Sequence, residues 1–115
     1  MQPDPISQTW FIISNRVLPD ERITVQSGQE KYALVFTQKA TAKEFMRDLQ
    51  DPNLELEGLE TWVLKETYLT TLTLLSVSRV MFDYVQGQHN ALSAPLELLR
   101  IHCQAQIGVV PRAEA

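Results

Sequence analysis

The run Tyr32-Ala33-Leu34-Val35-Phe36 constrains the fold of this chain more than any other stretch. An unbroken apolar run of this length reads as a strand buried on both faces, and the residues after it change to a helical period. Thr41-Ala42-Lys43-Glu44 has the S/T-x-x-E form of a capping box. Ala42, Phe45, Met46 and Leu49 then recur at i, i+3, i+4 and i+7, the spacing of one apolar helix face. A helix over about Ala42 to Gln50 is predicted. Asp51-Pro52-Asn53 ends it, because the residue before a proline is pushed out of the helical region. Phe45, Met46 and Leu49 should pack on Leu34 and Phe36 of the preceding strand.

Around this unit the pattern predicts further elements. Thr9 to Ser14 reads as a strand with bulky groups on both faces, Trp10 and Ile12 against Phe11 and Ile13. Asn15 to Glu21 is a loop with Pro19-Asp20 as its turn, and Arg22-Ile23-Thr24-Val25 is a short half-buried strand ended by Ser27-Gly28-Gln29. Leu54-Glu55-Leu56-Glu57-Gly58 reads as a loop or edge segment, and Thr61-Trp62-Val63-Leu64 as the next strand. Tyr68 to Val77 is compatible with helix or strand. A helix is preferred as the crossover between parallel strands, although its threonines lower helix propensity. Arg79 to Val85 is a strand closed by Gly87. Ser93-Ala94-Pro95 starts a C-terminal helix, with either Leu96, Leu99, Cys103 and Ile107 or Leu98, Ile101 and Ala105 as its apolar face.

Together these elements predict an α+β or α/β domain, a small single-layer sheet of about four or five strands packed with two or three helices. The expected organisation is a flexible tail over 1–8, one globular domain over 9–110 and a second flexible tail over 111–115. At 115 residues and 44% hydrophobic, the chain can bury a core without disulfides or a metal. A net charge of -4 opposes the phosphate attraction that supplies most nucleic-acid affinity, so no nucleic-acid partner is expected. No apolar stretch approaches the ~20 residues that span a bilayer, and Trp10-Phe11-Ile12-Ile13 is too short for the core of an export signal. The single cysteine, Cys103, excludes an internal disulfide. A cytoplasmic protein without membrane insertion is the expectation.

Tyr32 to Thr37, followed by Gln38-Lys39-Ala40-Thr41-Ala42-Lys43-Glu44-Phe45, resembles the strand, Phe-Thr, helix signature of the SseB N-terminal domain family. The resemblance covers about half the chain and implies a small α/β domain without an assigned catalytic activity. Asp83-Tyr84-Val85 stands where that family often ends its last core strand on an asparagine-proline pair.

Chemical constellations are few. His102 and Cys103 are neighbours, about 100° apart on a helix, and so do not face one substrate atom together. Cys103 is expected to be a small buried apolar group. His89 and His102 lack a carboxylate at ligand spacing, and no phosphate-cradling or hydrolase motif occurs. Asp48 with Asp51, and Glu55 with Glu57 and Glu60, read as solvated acidic edges rather than acid-base pairs. No enzyme activity, cofactor or metal is expected.

The surface feature that stands out is a charge stripe. A helix starting near Lys39 puts Lys39, Lys43 and Arg47 at i, i+4 and i+8 on one ridge, with Glu44 and Asp48 on the next. Like charges at that spacing do not stabilise a helix, so a partner is one reason for them; Arg47 pairing with Asp51 on an ordinary solvated face is the other. The expected function is a non-enzymatic docking or accessory protein, a peripheral subunit or regulator of a larger assembly. Lys39, Lys43, Arg47, Glu55, Glu57 and Trp62 would meet a protein partner or complex, and an acidic one would suit the basic stripe. The alternative is a small-molecule-binding regulatory domain with a pocket at the carboxyl ends of the strands near Thr37, Lys65 and Asp83. The frequent glutamines, among them Gln26, Gln29, Gln38, Gln86 and Gln88, and the chain length are similar to those of small peripheral subunits on the soluble arm of the cyanobacterial photosynthetic NDH complex. That likeness implies a third, narrower version of the docking reading.

Overall fold

A computed structural model describes residues 4–17, 23–85 and 92–108. The elements follow in the order β1 (Trp10–Asn15), β2 (Thr24–Ser27), β3 (Glu30–Val35), α1 (Lys39–Leu49), β4 (Leu54–Leu59), α2 (Trp62–Leu74), β5 (Arg79–Phe82), β6 (Leu92–Pro95) and α3 (Leu96–Ile107). The fold is α+β. The Pro19-Asp20 turn, Gly87, His89 and the expected tail over 111–115 lie outside the described residues.

The strands form two hydrogen-bonded sheets instead of the expected single sheet. One has the order β2-β3-β5-β6, with β3 and β5 parallel and both outer pairs antiparallel; the other is the antiparallel pair β1-β4. The two meet where Phe11 and Phe36 exchange backbone hydrogen bonds of 2.7 and 2.9 Å. Gly28, at φ +62°, makes the turn from β2 into β3 in a backbone region that side chains disfavour.

Alternation along the strands separates two apolar layers. Trp10 and Ile12 of β1, Ala33 and Val35 of β3, and Val80 and Phe82 of β5 pack with Tyr68, Leu69 and Leu72 of α2 and with Leu96, Leu99 and Cys103 of α3. The intervening residues Ile13, Leu34 and Phe36 join Ala42 of α1 and Leu54 of β4, with Phe45, Met46, Leu56, Met81 and Tyr84 at the margin. So α1 covers one face, and α2 with α3 covers the other. Of the two faces considered for α3, burial selects Leu96, Leu99 and Cys103, while Leu98 and Ile101 are exposed.

Several boundaries differ from the sequence expectation. The first turn of α1 begins at Lys39 after Gln38, whose side chain makes no capping bond, so Thr41 and Glu44 lie inside the helix and form no capping box. Leu49 is exposed and leaves the packing on Leu34 and Phe36 to Phe45 and Met46. Leu54–Leu59 is a full strand, since pairing with β1 in the register Ile13↔Leu56 and Trp10↔Leu59 satisfies its backbone. Thr61 to Leu64 is helix start instead of strand: Thr61 Oγ1 accepts from the Leu64 N–H at 3.1 Å, and Trp62 opens α2. The threonines of α2 are absorbed locally. Thr67, Thr71 and Thr73 donate to the carbonyls of Val63, Thr67 and Leu69, while Thr70 donates to the Glu66 carboxylate. Ser93 to Pro95 belongs to β6, because Arg79 to Phe82 offers it an antiparallel partner; Pro95, in an extended conformation, caps α3.

Phe45 is half-buried, with its ring 5.4 Å from Phe36 and 6.2 Å from Tyr84 between centroids. Phe45→Ala should therefore cost stability at or below the low end of the ~3–5 kcal/mol typical of buried aromatics. Urea denaturation measures this, and an unchanged midpoint would mean that α1 does not rest on β3 through this ring.

Candidate functional site

Helix α1 carries the charges that the sequence singles out, and its geometry sorts them onto two flanks. With Ala42 pointing inward and ~100° per residue, Lys39, Lys43 and Arg47 fall on one side and Glu44 and Asp48 on the other. All five are exposed. None of them forms an ion pair among the described residues. The expected partner of Arg47 is otherwise engaged: Asp51 Oδ1 accepts from the Asn53 N–H at 2.9 Å in the turn after the helix. Lys43 and Arg47 border an open groove of about 440 Å³ whose apolar wall is Met46, Pro52 and Leu54. On the opposite flank a cleft of about 450 Å³ is lined by Thr41, Glu44, Phe45, Asp48, Tyr84 and Val85.

The remaining partner candidates stand elsewhere. Glu55 and Glu57 are exposed on β4, and Glu55 lies 3.7 Å from Arg16 in an exposed ion pair of little energetic weight. Trp62 opens α2 on the far side of the sheet from α1, edge-on to His102 at 5.4 Å between ring centroids. The structure thus brings Lys39, Lys43 and Arg47 together and separates them from Trp62.

The expected strand-end pocket is assembled only in part. Asp83 directly follows β5 with a left-handed backbone, φ 55°, and its carboxylate accepts from the Thr37 N–H at 2.8 Å and the Thr37 hydroxyl at 2.7 Å. This joins the carboxyl ends of β3 and β5 and consumes both polar groups. Lys65 is not there. It lies on the other face of the sheet, 2% exposed, with Nζ donating to the carbonyls of Ile6 at 3.0 Å and Gln8 at 2.6 Å. The Trp62 and Trp10 rings sit 4.3 and 5.0 Å from Nζ.

This buried amine was not legible in the sequence, where a lysine breaks the apolar stripe that Tyr68, Leu69 and Leu72 continue. It ties down Pro5–Ser7, a 3-10 turn capped by the Asp4 carboxylate and held also by Trp10 Nε1 donating to the Pro5 carbonyl. Residues 4–8, expected as part of a flexible tail, are docked on the core.

Burial lowers the Lys65 pKa below its ordinary value, against the smaller raising effects of Cys103 and Asp4. Burial also pushes the Cys103 thiol up to about 11. The thiol is therefore a protonated packing group, as expected, and a poor nucleophile. Among the described residues no three histidine, cysteine or acidic side chains converge as metal ligands, and no helix is long and apolar enough to cross a membrane.

Lys65→Met keeps the packing volume while removing two charge-assisted hydrogen bonds and one desolvated charge, so the global effect should be small, within about 2 kcal/mol. The local effect should be large: hydrogen exchange at the amides of Ile6, Ser7 and Gln8 should accelerate while that of α2 is retained. Cys103 predicts a pH effect. Its folded pKa stands above the ordinary 9.0, so its contribution is complete below pH 9 and is lost as pH rises towards about 11. Lys65, with a lowered pKa, has the opposite slope as pH approaches 10.5. Thermal melts from pH 8 to 11 should show a shallower alkaline decline for Cys103→Ala than for wild type; parallel curves would mean that the thiol titrates normally.

No curated protein matches the chain. One family does, spanning β1 to the first turn of α3 and so taking in both flanks of α1 and Lys65 itself. Matched over residues 7–99, the chain belongs to the family described as Protein of unknown function (DUF3234).

Proposed function

We propose that this protein is a non-enzymatic docking or accessory protein that engages an acidic segment of a protein partner through the basic flank of α1. The observation that carries this reading is the row Lys39, Lys43 and Arg47, exposed on one side of one helix and unpaired among the described residues, beside a groove with an apolar wall. Such a row does not stabilise its own helix, since like charges at i, i+4 cost ~0.2–0.5 kcal/mol a pair. It does suit electrostatic steering of an oppositely charged surface, with Met46, Pro52 and Leu54 available for the apolar contacts that hold a complex once formed. The resemblance to SseB-type domains, carried by Tyr32 to Phe45, would imply a small domain without an assigned catalytic activity and is compatible with this role. A cytoplasmic, peripheral position in a larger assembly is the natural setting.

The small-molecule reading has less support. Thr37 and Asp83 are spent on each other, and Lys65 is enclosed by the N-terminal turn and two indole rings.

Affinity capture from the native host with wild type and with the Lys43→Glu, Arg47→Glu variant tests the proposal. The expected result is one partner or complex retained by wild type and depleted in the variant. Association kinetics with that partner should slow by about tenfold at low salt and lose their dependence on ionic strength, with the melting temperature little changed. Equal association rates at low salt would reduce the row to a solvated face and move the docking surface to the Leu54–Leu59 edge.

A further inference from the structure

The cleft on the opposite flank of α1 has a chemistry of its own. One wall carries two carboxylates, Glu44 and Asp48, one helical turn apart and without an ion-pair partner among the described residues. The floor is aromatic: Phe45 and Tyr84 meet edge to face at 73°, and Phe45 is backed by Phe36 of the core. Tyr84 follows Asp83, whose two hydrogen bonds from Thr37 fix the strand end from which the ring reaches Phe45. The result is a concave site of about 450 Å³ combining aromatic rings with negative charge.

We infer that this cleft binds an arginine side chain presented by a protein partner. Charge complementarity selects a cation. Carboxylates at i, i+4 stand ~5–6 Å apart at Cβ, close enough for the several N–H groups of one guanidinium to reach both. The planar guanidinium can also lie on an aromatic face while its apolar stem fills the remaining cleft, a combination that an acidic rim over an apolar floor rewards. The like-charge pair Glu44 and Asp48, unfavourable in the isolated helix, is relieved by such a ligand. The inference does not rest on the basic row: it concerns the other flank of α1 and a ligand of opposite sign, so either can fail alone.

The test uses the full chain, isotope-labelled for NMR and titrated to millimolar concentration with acetyl-Gly-Arg-Gly-amide. Its counterpart with norleucine in place of arginine serves as the uncharged control. The expected result is saturable shifts centred on the amides of Thr41, Glu44, Phe45, Asp48, Tyr84 and Val85, weakened by added salt and absent with the norleucine peptide. Glu44→Gln combined with Asp48→Asn should retain the wild-type spectrum elsewhere and bind the arginine peptide about tenfold more weakly. Tyr84→Leu should weaken it while leaving both carboxylates in place. Wild-type affinity in the double variant, equal shifts from the norleucine peptide, or shifts centred away from the cleft would each overturn the assignment.

Discussion

Strand β3 is buried on both faces, and most of the structure follows from that. Ala33 and Val35 look toward α2 and α3, while Leu34 and Phe36 look toward α1, so neither face can be left to water without exposing part of a continuous apolar run. The parallel pairing of β3 with β5 then requires a long crossover. That crossover consists of α1, β4 and α2, which passes through both helical layers and supplies β4 as the partner of β1. The two small sheets are in this sense one solution to covering β3, joined at Phe11 and Phe36.

The Lys65 amine is the costly element of this arrangement. It sits where an aliphatic side chain would satisfy the packing of α2, and it carries a desolvation cost that hydrogen bonds to two carbonyls and the faces of two indole rings offset. What it adds over a leucine is direction: a donor aimed at the backbone of residues 6 and 8 fixes where the chain enters β1. Trp10 contributes to the same clamp through its indole N–H to Pro5. Nearby, Cys103 is fully buried and remains a neutral thiol, so it adds no second charge beside the amine.

Helix α1 serves the core with Ala42, Phe45 and Met46 and presents two chemically opposite flanks to solvent. Segregated charge of this kind gives no local stability, and the grooves beside each flank differ in the same sense as the charges. A basic row beside an aliphatic wall and an acidic pair over aromatic rings are complementary to different ligands. A partner contacting both would be oriented by the helix as well as bound by it.

The strand at Tyr32 to Phe36 with the helix after it, and the two-faced strand at Thr9 to Ser14, were legible in the sequence because each rests on spacing within one element, whereas the burial of Cys103 was expected from its residue type. The row Lys39, Lys43 and Arg47 was legible from spacing too, as a consequence of ~3.6 residues per turn. Tertiary structure decided the rest. Whether Leu54 to Leu59 is a strand depended on β1 lying beside it. Whether Thr61 to Leu64 starts a helix depended on a core that accepts Lys65 on the inner face, and Ser93 to Pro95 extended only because β5 offered an edge. The aromatic cleft beside Glu44 and Asp48 joins residues about forty positions apart in sequence, through the Thr37 and Asp83 contact that closes the ends of two parallel strands. Local periodicity determines which face of an element is apolar; which polar groups that face must accommodate is settled only when distant segments meet and leave no water to take their place.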